Sequence, residues 1–257
     1  MVSAKTMQFM RSFVRVCTLT LAVAMVAACS SGSRTTSDAY PLKGDVKPHA
    51  GVAEAHDYPN HGIDVSKWQG HIDWAQVKNA GTKFAFLKAT EGGDHLDEKF
   101  HFNWDAAGAA GVPRGAYHFV YWCRPAHEQA MWFKSHIPSR AQSDALTLPP
   151  VLDVEWNGHS KTCPRKVPRE VALEKMRVML RELEEHTGQK PIIYTDITFH
   201  NEVLIGEFND YPFWLRSVAA KPEERYSGNR RWAYWQYTAT GRVPGVRGNV
   251  DRNVSAF

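Results

Sequence analysis

The sequence predicts an α/β fold, a modified TIM-like barrel with about five βα units followed by three strands that lack outer helices. Three observations carry this. Eight short apolar runs recur between Gly62 and Asp251, each the length of a strand and not of a helix. Helical patterns, or room for them, separate the earlier runs, and strand–helix alternation is the mark of a parallel sheet with right-handed crossovers. Beyond Phe213 the alternation stops. The next gaps hold Pro222 and Gly228, then Gly241, Pro244, Gly245 and Gly248, with no helical period.

In chain order, the first run is Gly62–Val65, followed by a helical pattern over Ile72–Ala80 that Gly81 stops. Phe84–Lys88 leads to the helical stretch Phe100–Ala110, closed by Gly111, and Gly115–Phe119 leads to Ala126–His136, opened by Pro125. The fourth run, Val151–Glu155, is entered through Pro149 and Pro150, where a missing N–H costs least. Pro168–Thr187 is the clearest helix: Ala172, Met176, Met179 and Leu183 share one face, and Gly188 ends it. Ile192–Tyr194 precedes a weaker helical pattern at Phe199–Phe208, and Phe213–Arg216, Ala233–Tyr237 and Asn249–Asp251 complete the set. No internal repeat interrupts it.

The N-terminal part reads differently. Met1–Arg15 is basic and free of acids, and Val16–Ala28 is an apolar run of 13 residues, too short to span a bilayer permanently. Residues 1–28 are therefore expected to be a signal peptide. Its ending, Val26-Ala27-Ala28-Cys29, resembles a bacterial lipobox, which makes Cys29 the expected lipidation site and membrane anchor. Ser30 in place of Asp favours outer-membrane sorting, facing the periplasm, in a cell with two membranes. Residues 29–57 are polar, rich in Gly, Ser and Pro, and read as a flexible tether to a domain at 58–257.

Composition narrows the function. The net charge of +4 is mostly the leader's: 31 basic residues less Lys5, Arg11 and Arg15 leave 28 against 27 acids. Nothing in that balance asks for nucleic acid. Nine Trp suit cores, and also a protein that stacks on sugar rings. Cys17 is expected to leave with the leader and Cys29 to be acylated, so the domain keeps Cys123 and Cys163. Both lie just past strand ends on one rim, and in an exported protein they are expected to form a disulfide.

The chemistry gathers at the C-terminal ends of the strands, where barrel active sites lie. In the fourth run, Asp153 and Glu155 stand two apart and so share a face, while Leu152 and Val154 face the other way. Two carboxylates on an apolar strand are costly unless used, and glycoside hydrolysis uses such a pair, one protonated and one ionised. Asp64 ends the first strand, Glu91 follows the second, Tyr117 and His118 lie in the third, Tyr194 ends the fifth, Trp214 lies in the sixth and Asp251 ends the eighth. Each has a bland reading taken singly, His118 as a core histidine and Trp214 or Trp235 as packing. Their shared rim is what makes them a site.

The motifs GIDVSKWQG (62–70), FAFLKATEG (84–92), GAYHF (115–119), PVLDVE (150–155), PIIYT (191–195), WAYWQYT (232–238) and VDRN (250–253) resemble glycoside hydrolase family 25, the N-acetylmuramidase lysozymes. The resemblance runs from about Gly62 to the C-terminus. It implies a modified β/α barrel that cleaves the β-1,4 bond between N-acetylmuramic acid and N-acetylglucosamine in peptidoglycan. It further implies Glu155 as general acid, and Asp153 as its partner, which orients the substrate's 2-acetamido group or steadies the cationic intermediate. Asp64 and Asp251 become acids that tune this pair. Tyr117, Tyr194 and Trp214 would line the glycan cleft, with Glu91, His118 and Trp235 counted as further substrate contacts on the same rim. No cofactor or metal is expected, and the chain is expected to act as a monomer. Leu215-Arg216-Ser217 departs from the smaller or aromatic residues many relatives carry there.

Three other readings compete with this one. A family 18 type chitinase needs DxxDxDxE, but positions 148 and 151 are Leu148 and Val151. A metal-dependent phosphodiesterase needs a two-metal ligand set, which the sequence does not resemble. A catalytically silent peptidoglycan-binding lipoprotein stays the alternative: loss of either acid of the pair would support it, and both are present.

Overall fold

A computed structural model describes residues 52–257 apart from His159. The signal peptide, the Cys29 lipidation site and the tether up to residue 51 lie outside the described residues. Nine strands are present among the described residues: β1 (His61–Val65), β2 (Phe84–Glu91), β3 (His95–Leu96), β4 (Arg114–Phe119), β5 (Val151–Val154), β6 (Ile192–Thr195), β7 (Phe213–Arg216), β8 (Tyr234–Gly241) and β9 (Val250–Ser255). The sheet runs β1-β9-β8-β7-β6-β5-β4-β2, and β2 pairs back to β1, so eight strands close a barrel. The two-residue β3 is a hairpin return on β2 and lies outside the closure.

All eight apolar runs are barrel strands, but their directions are not uniform. β9 runs antiparallel to both β8 and β1. Residues 242–249 are the whole connection between β8 and β9, and a parallel crossover needs roughly a dozen residues or more. The chain can only turn back. Asp251, expected to end its strand, therefore stands near the start of β9, and the reversal puts it at the rim where the parallel strands finish.

Helices α1 (Trp74–Asn79), α2 (Phe100–Ala109), α3 (Ala126–Lys134) and α4 (Arg169–Thr187) cover the barrel. α4 buries Ala172, Leu173, Met176, Met179, Leu180 and Leu183, a stripe at helical spacing. It stops at Gly188, whose φ of 67° is the left-handed conformation glycine adopts freely. The weaker pattern at Phe199–Phe208 is a short α5 (Ile197–Phe199) running into a π turn at His200–Leu204. The expectation of bare loops after β7 is corrected by α6 (Pro222–Arg225), a single turn with Pro at its start.

Strand parity sorts the side chains into two cores. Outward residues such as Ile63, Leu87, Leu152, Ile193 and Leu215 join the helices in the larger one. Inward residues Phe84, Phe86, Val151, Ile192, Tyr194, Trp214 and Tyr234 fill the barrel itself. Phe86 stacks on Trp214 at 4.6 Å, and Phe84 meets Tyr234 edge-on at 5.1 Å. These rings are why Gly62 and Gly115 are glycines. A Cβ on Gly62 would sit 2.4 Å from the Phe84 ring, and one on Gly115 would sit 2.8 Å from Phe86. The aromatic plug fills one end and leaves the other open.

Two further features bear on the expected domain limits. Ala53–Asp57 form a 3-10 helix, and Val52 and Ala55 are buried against Trp235, Tyr237 and Val254. Residues 52–57, expected to be tether, thus belong to the folded domain, because Val52 and Ala55 find a core. Cys123 and Cys163 are disulfide-bonded, with Cα atoms 5.6 Å apart and a separation of 40 residues. Replacing both with Ser is expected to cost about 3–4 kcal/mol on the loop-entropy account. The checks are a lowered melting temperature and, in the unreduced denatured parent, no free thiol at either position; two free thiols would refute the bond.

Candidate active site

The open end of the barrel holds a cavity of about 250 Å³. Asp64 comes from β1, Tyr117 from β4, Asp153 from β5, Tyr194 from β6, Trp214 and Arg216 from β7, Gln236 and Ala239 from β8, and Asp251 from β9. Glu155 projects into it from the first residue past β5. Four carboxylates on three strands thus meet in one space, although they span most of the domain in sequence.

Asp64 is the most firmly held. Its Oδ2 accepts from Gln236 Nε2 at 2.9 Å and from Asn253 Nδ2 at 2.8 Å. Each amide is itself oriented by an aromatic donor. Tyr194 Oη donates to Gln236 Oε1 at 2.9 Å, and Trp214 Nε1 donates to Asn253 Oδ1 at 2.7 Å. With their carbonyls occupied, both amides must present N–H to the carboxylate. Burial pushes the Asp64 carboxyl up to about 6, and the two amides and Arg216 limit the rise. Asp251 lies directly across the β1–β9 ladder from Asp64. Burial and the Asp64 charge hold it well above the ordinary carboxylate range.

Asp153 and Glu155 differ in setting. Asp153 is buried within β5, and its Oδ1 has no hydrogen-bond partner among the described residues. Burial and Glu155 raise it strongly, against the pull of the Lys88 cation. Glu155 is pushed up to about 7, first by burial and then by the Asp196 charge, with Arg216 opposing. The main chain here is pinned. Trp122 Nε1 donates to the Glu155 carbonyl at 2.6 Å, and Thr195 Oγ1 donates to the Val154 carbonyl at 3.0 Å. Trp122 stacks on Phe199 at 4.9 Å and meets Trp156 edge-on at 5.7 Å, so a wall of rings backs the acid.

Three expected substrate contacts lie elsewhere. His118 faces outward and is fully buried: its Nδ1 meets Thr90 Oγ1 at 2.7 Å and its Nε2 meets Gln129 Oε1 at 3.3 Å. Burial pushes it down to about 4, which leaves a neutral core histidine. Trp235 also points outward, donating to the Ser217 carbonyl at 2.7 Å beneath the N-terminal 3-10 helix. The reason is parity: neighbours on a strand face opposite ways, so Tyr117 excludes His118 and Gln236 excludes Trp235. Glu91 stays near the rim outside the cavity, ion-paired with Lys88 and accepting from Tyr121 Oη at 3.3 Å. Trp122 and Trp235 serve packing, Trp214 lines the cavity, and Trp68 stands 82% exposed beyond the C-terminal end of β1.

Arg216, Gln236, Asn253, Lys88 and Asp196 are site residues that the sequence reading did not assign. Gln236 and Asn253 lie inside the quoted motifs WAYWQYT and VDRN, and the signal for them was inward parity with Tyr234 and Asp251.

The comparisons with known proteins agree with this geometry. The profile of glycosyl hydrolases family 25 matches residues 63–246, most of the described domain. Lysozyme M1 of Streptomyces globisporus is 39% identical over 75% of this chain, which spans 66% of that protein. Among solved structures, a family 25 glycosyl hydrolase from Bacillus anthracis is 34% identical with a TM-score of 0.73, covering 81% of this chain and 94% of its own. The bacterial lysozyme from Streptomyces coelicolor is 38% identical with a TM-score of 0.69, covering 77% of this chain and 92% of its own. With the matched residues, the closed barrel and the acid-lined cavity in agreement, this chain belongs to glycosyl hydrolases family 25.

Proposed function

We propose that the chain is a peptidoglycan hydrolase, an N-acetylmuramidase that cleaves the β-1,4 bond between N-acetylmuramic acid and N-acetylglucosamine. The observation that carries this is Asp153 and Glu155 at one strand end, within a cavity that Asp64 and Asp251 also line. Relatives named as lysozymes and N,O-diacetylmuramidases support the substrate class. Glu155, with its raised pKa, keeps a proton to near neutral pH and gives it to the departing glycosidic oxygen. Burial and the Glu155 charge raise Asp153 strongly and Lys88 limits the rise, so the two acids share a proton rather than ionise together; once Glu155 has drawn on that proton, Asp153 faces the positive charge that develops at the anomeric carbon. In the substrate-assisted version, the 2-acetamido oxygen attacks that carbon, Asp153 steadies the acetamido group, and water later opens the ring so formed. Digestion of purified peptidoglycan, with mass spectrometry of the products, tests this. New reducing ends on muramic acid are expected; reducing ends on glucosamine, or no cleavage, would refute it. A silent binding protein is the less favoured reading, since all four acids are present and meet in the cavity.

The enzyme is further proposed to act as a monomer anchored by acyl chains on Cys29, in the outer membrane facing the periplasm where the cell has two membranes. The support is the VAAC ending of the apolar run. Among the described residues, no helix is long and apolar enough to cross a membrane. Cys29→Ser is expected to move the protein to the soluble envelope fraction or leave the precursor uncut. A mature wild-type chain with no acyl mass at Cys29 would refute the anchor.

A further inference from the structure

The reaction scheme leaves one charged group in the cavity unused. Arg216 closes β7 on the inward parity of Trp214, and it is the only cation among the residues lining the cavity. Its main chain is fixed. The Arg216 carbonyl accepts from Tyr226 Oη at 2.8 Å, and the residue pairs in register with Gln236. Its guanidinium is not committed: among the described residues it makes no hydrogen bond and no ion pair within 4 Å, and Tyr194, Glu155, Asp251 and Asp196 act on it through their charge alone. A half-buried guanidinium with five donors is normally satisfied by neighbours, and this one is anchored at the stem and free at the head.

We propose that Arg216 is a specificity-determining residue that pairs with a carboxylate of the glycan substrate. Two carboxylates have that chemistry: the lactyl carboxylate of muramic acid where no peptide is attached, and a carboxylate of an attached stem peptide. The inference rests on the muramidase reading and deepens it. The other ionisable groups lining the cavity are carboxyls and the phenols of Tyr117 and Tyr194, so an anionic substituent finds no attraction except at β7. The planar guanidinium fork also matches a carboxylate in two parallel hydrogen bonds. N-acetylglucosamine carries no carboxylate. The contact therefore distinguishes the two alternating sugars and sets the strand's register, which decides the linkage that falls beside Glu155.

The competing role for Arg216 is charge balance among the acids, and kinetics separate the two. Wild type, Arg216→Gln and Arg216→Lys are assayed on three substrates: glycan strands stripped of peptide, the same strands with the lactyl carboxyl converted to its methylamide, and peptide-bearing strands. For Arg216→Gln, kcat/KM on the carboxylate-bearing substrate is expected to fall about tenfold or more relative to the methylamide, mainly through KM. A selective loss on stripped strands identifies the lactyl carboxylate; a selective loss on peptide-bearing strands alone identifies the peptide. Equal loss on all three substrates would overturn the proposal and leave charge balance. Should the Gln variant not fold, the Lys variant decides. Lysine keeps the charge and loses the fork, so a carboxylate preference reduced by about threefold or more supports the pairing. An undiminished preference overturns it. Failure of the wild type to cleave any strand would instead strike the muramidase reading itself.

Discussion

Glu155→Gln is expected to reduce peptidoglycan cleavage by about a hundredfold or more, within the 10²–10⁴ range for an acid catalyst. Glutamine keeps the shape of the side chain and leaves the carbonyl bond from Trp122 untouched, so the loss reads the proton alone. The wild-type pH profile should agree. Activity that needs protonated Glu155 is present on the acid side and falls as pH rises through about 7. Stability should move the same way. Folding raises this carboxyl from its ordinary 4.5, so its contribution to stability is fullest below about 4.5 and is lost as pH rises through about 7. At pH 8 the variant, which has no charge to bury, should be more stable than the parent by as much as about 3 kcal/mol. A folded variant that cleaves peptidoglycan at close to the parent rate would remove Glu155 from its role.

Asp153→Asn should be nearly as damaging, by about 10²–10³ in turnover, the range seen when a group that stabilises transition-state charge is removed. Asparagine fills the same space but offers no negative charge to the anomeric centre. A second readout separates this from misfolding. Asp153 and Glu155 repel one another and titrate together, so the last proton leaves the pair at a higher pH than it would leave either acid alone. With Asp153 neutralised, the residual activity should lose its alkaline limb at lower pH than the parent. An unmoved limb together with near-parent turnover would show that Asp153 neither touches the reaction nor couples to Glu155.

Much of this molecule is written locally. The eight strands are legible because a run such as Ile192–Thr195, closed by Gly188 before it and Asp196 after it, has strand length and composition whatever surrounds it. The carboxylates are legible too, since inward parity at a strand's end places Asp64, Asp153 and Glu155 with no knowledge of neighbours. The same two-residue repeat sets His118 and Trp235 on the outer face, since Tyr117 and Gln236 face inward. The direction of β9 was likewise available from its short connection.

Other features belong to the closed barrel alone. Asp64 meets Gln236 across 172 residues and Asn253 across 189, because β1 pairs with β9 and β9 with β8 only once the sheet has curled round. Two neutral amides carry no signal of importance in a sequence; the register of those pairings turns their N–H groups onto a buried carboxylate. Arg216 marks the same boundary. Its parity was readable, but its free guanidinium among four acids is a property of the assembled cavity. The sequence by itself determined which groups face inward, through the two-residue repeat of a strand. The tertiary structure decided which of them meet, because closure brings together side chains that no local period relates.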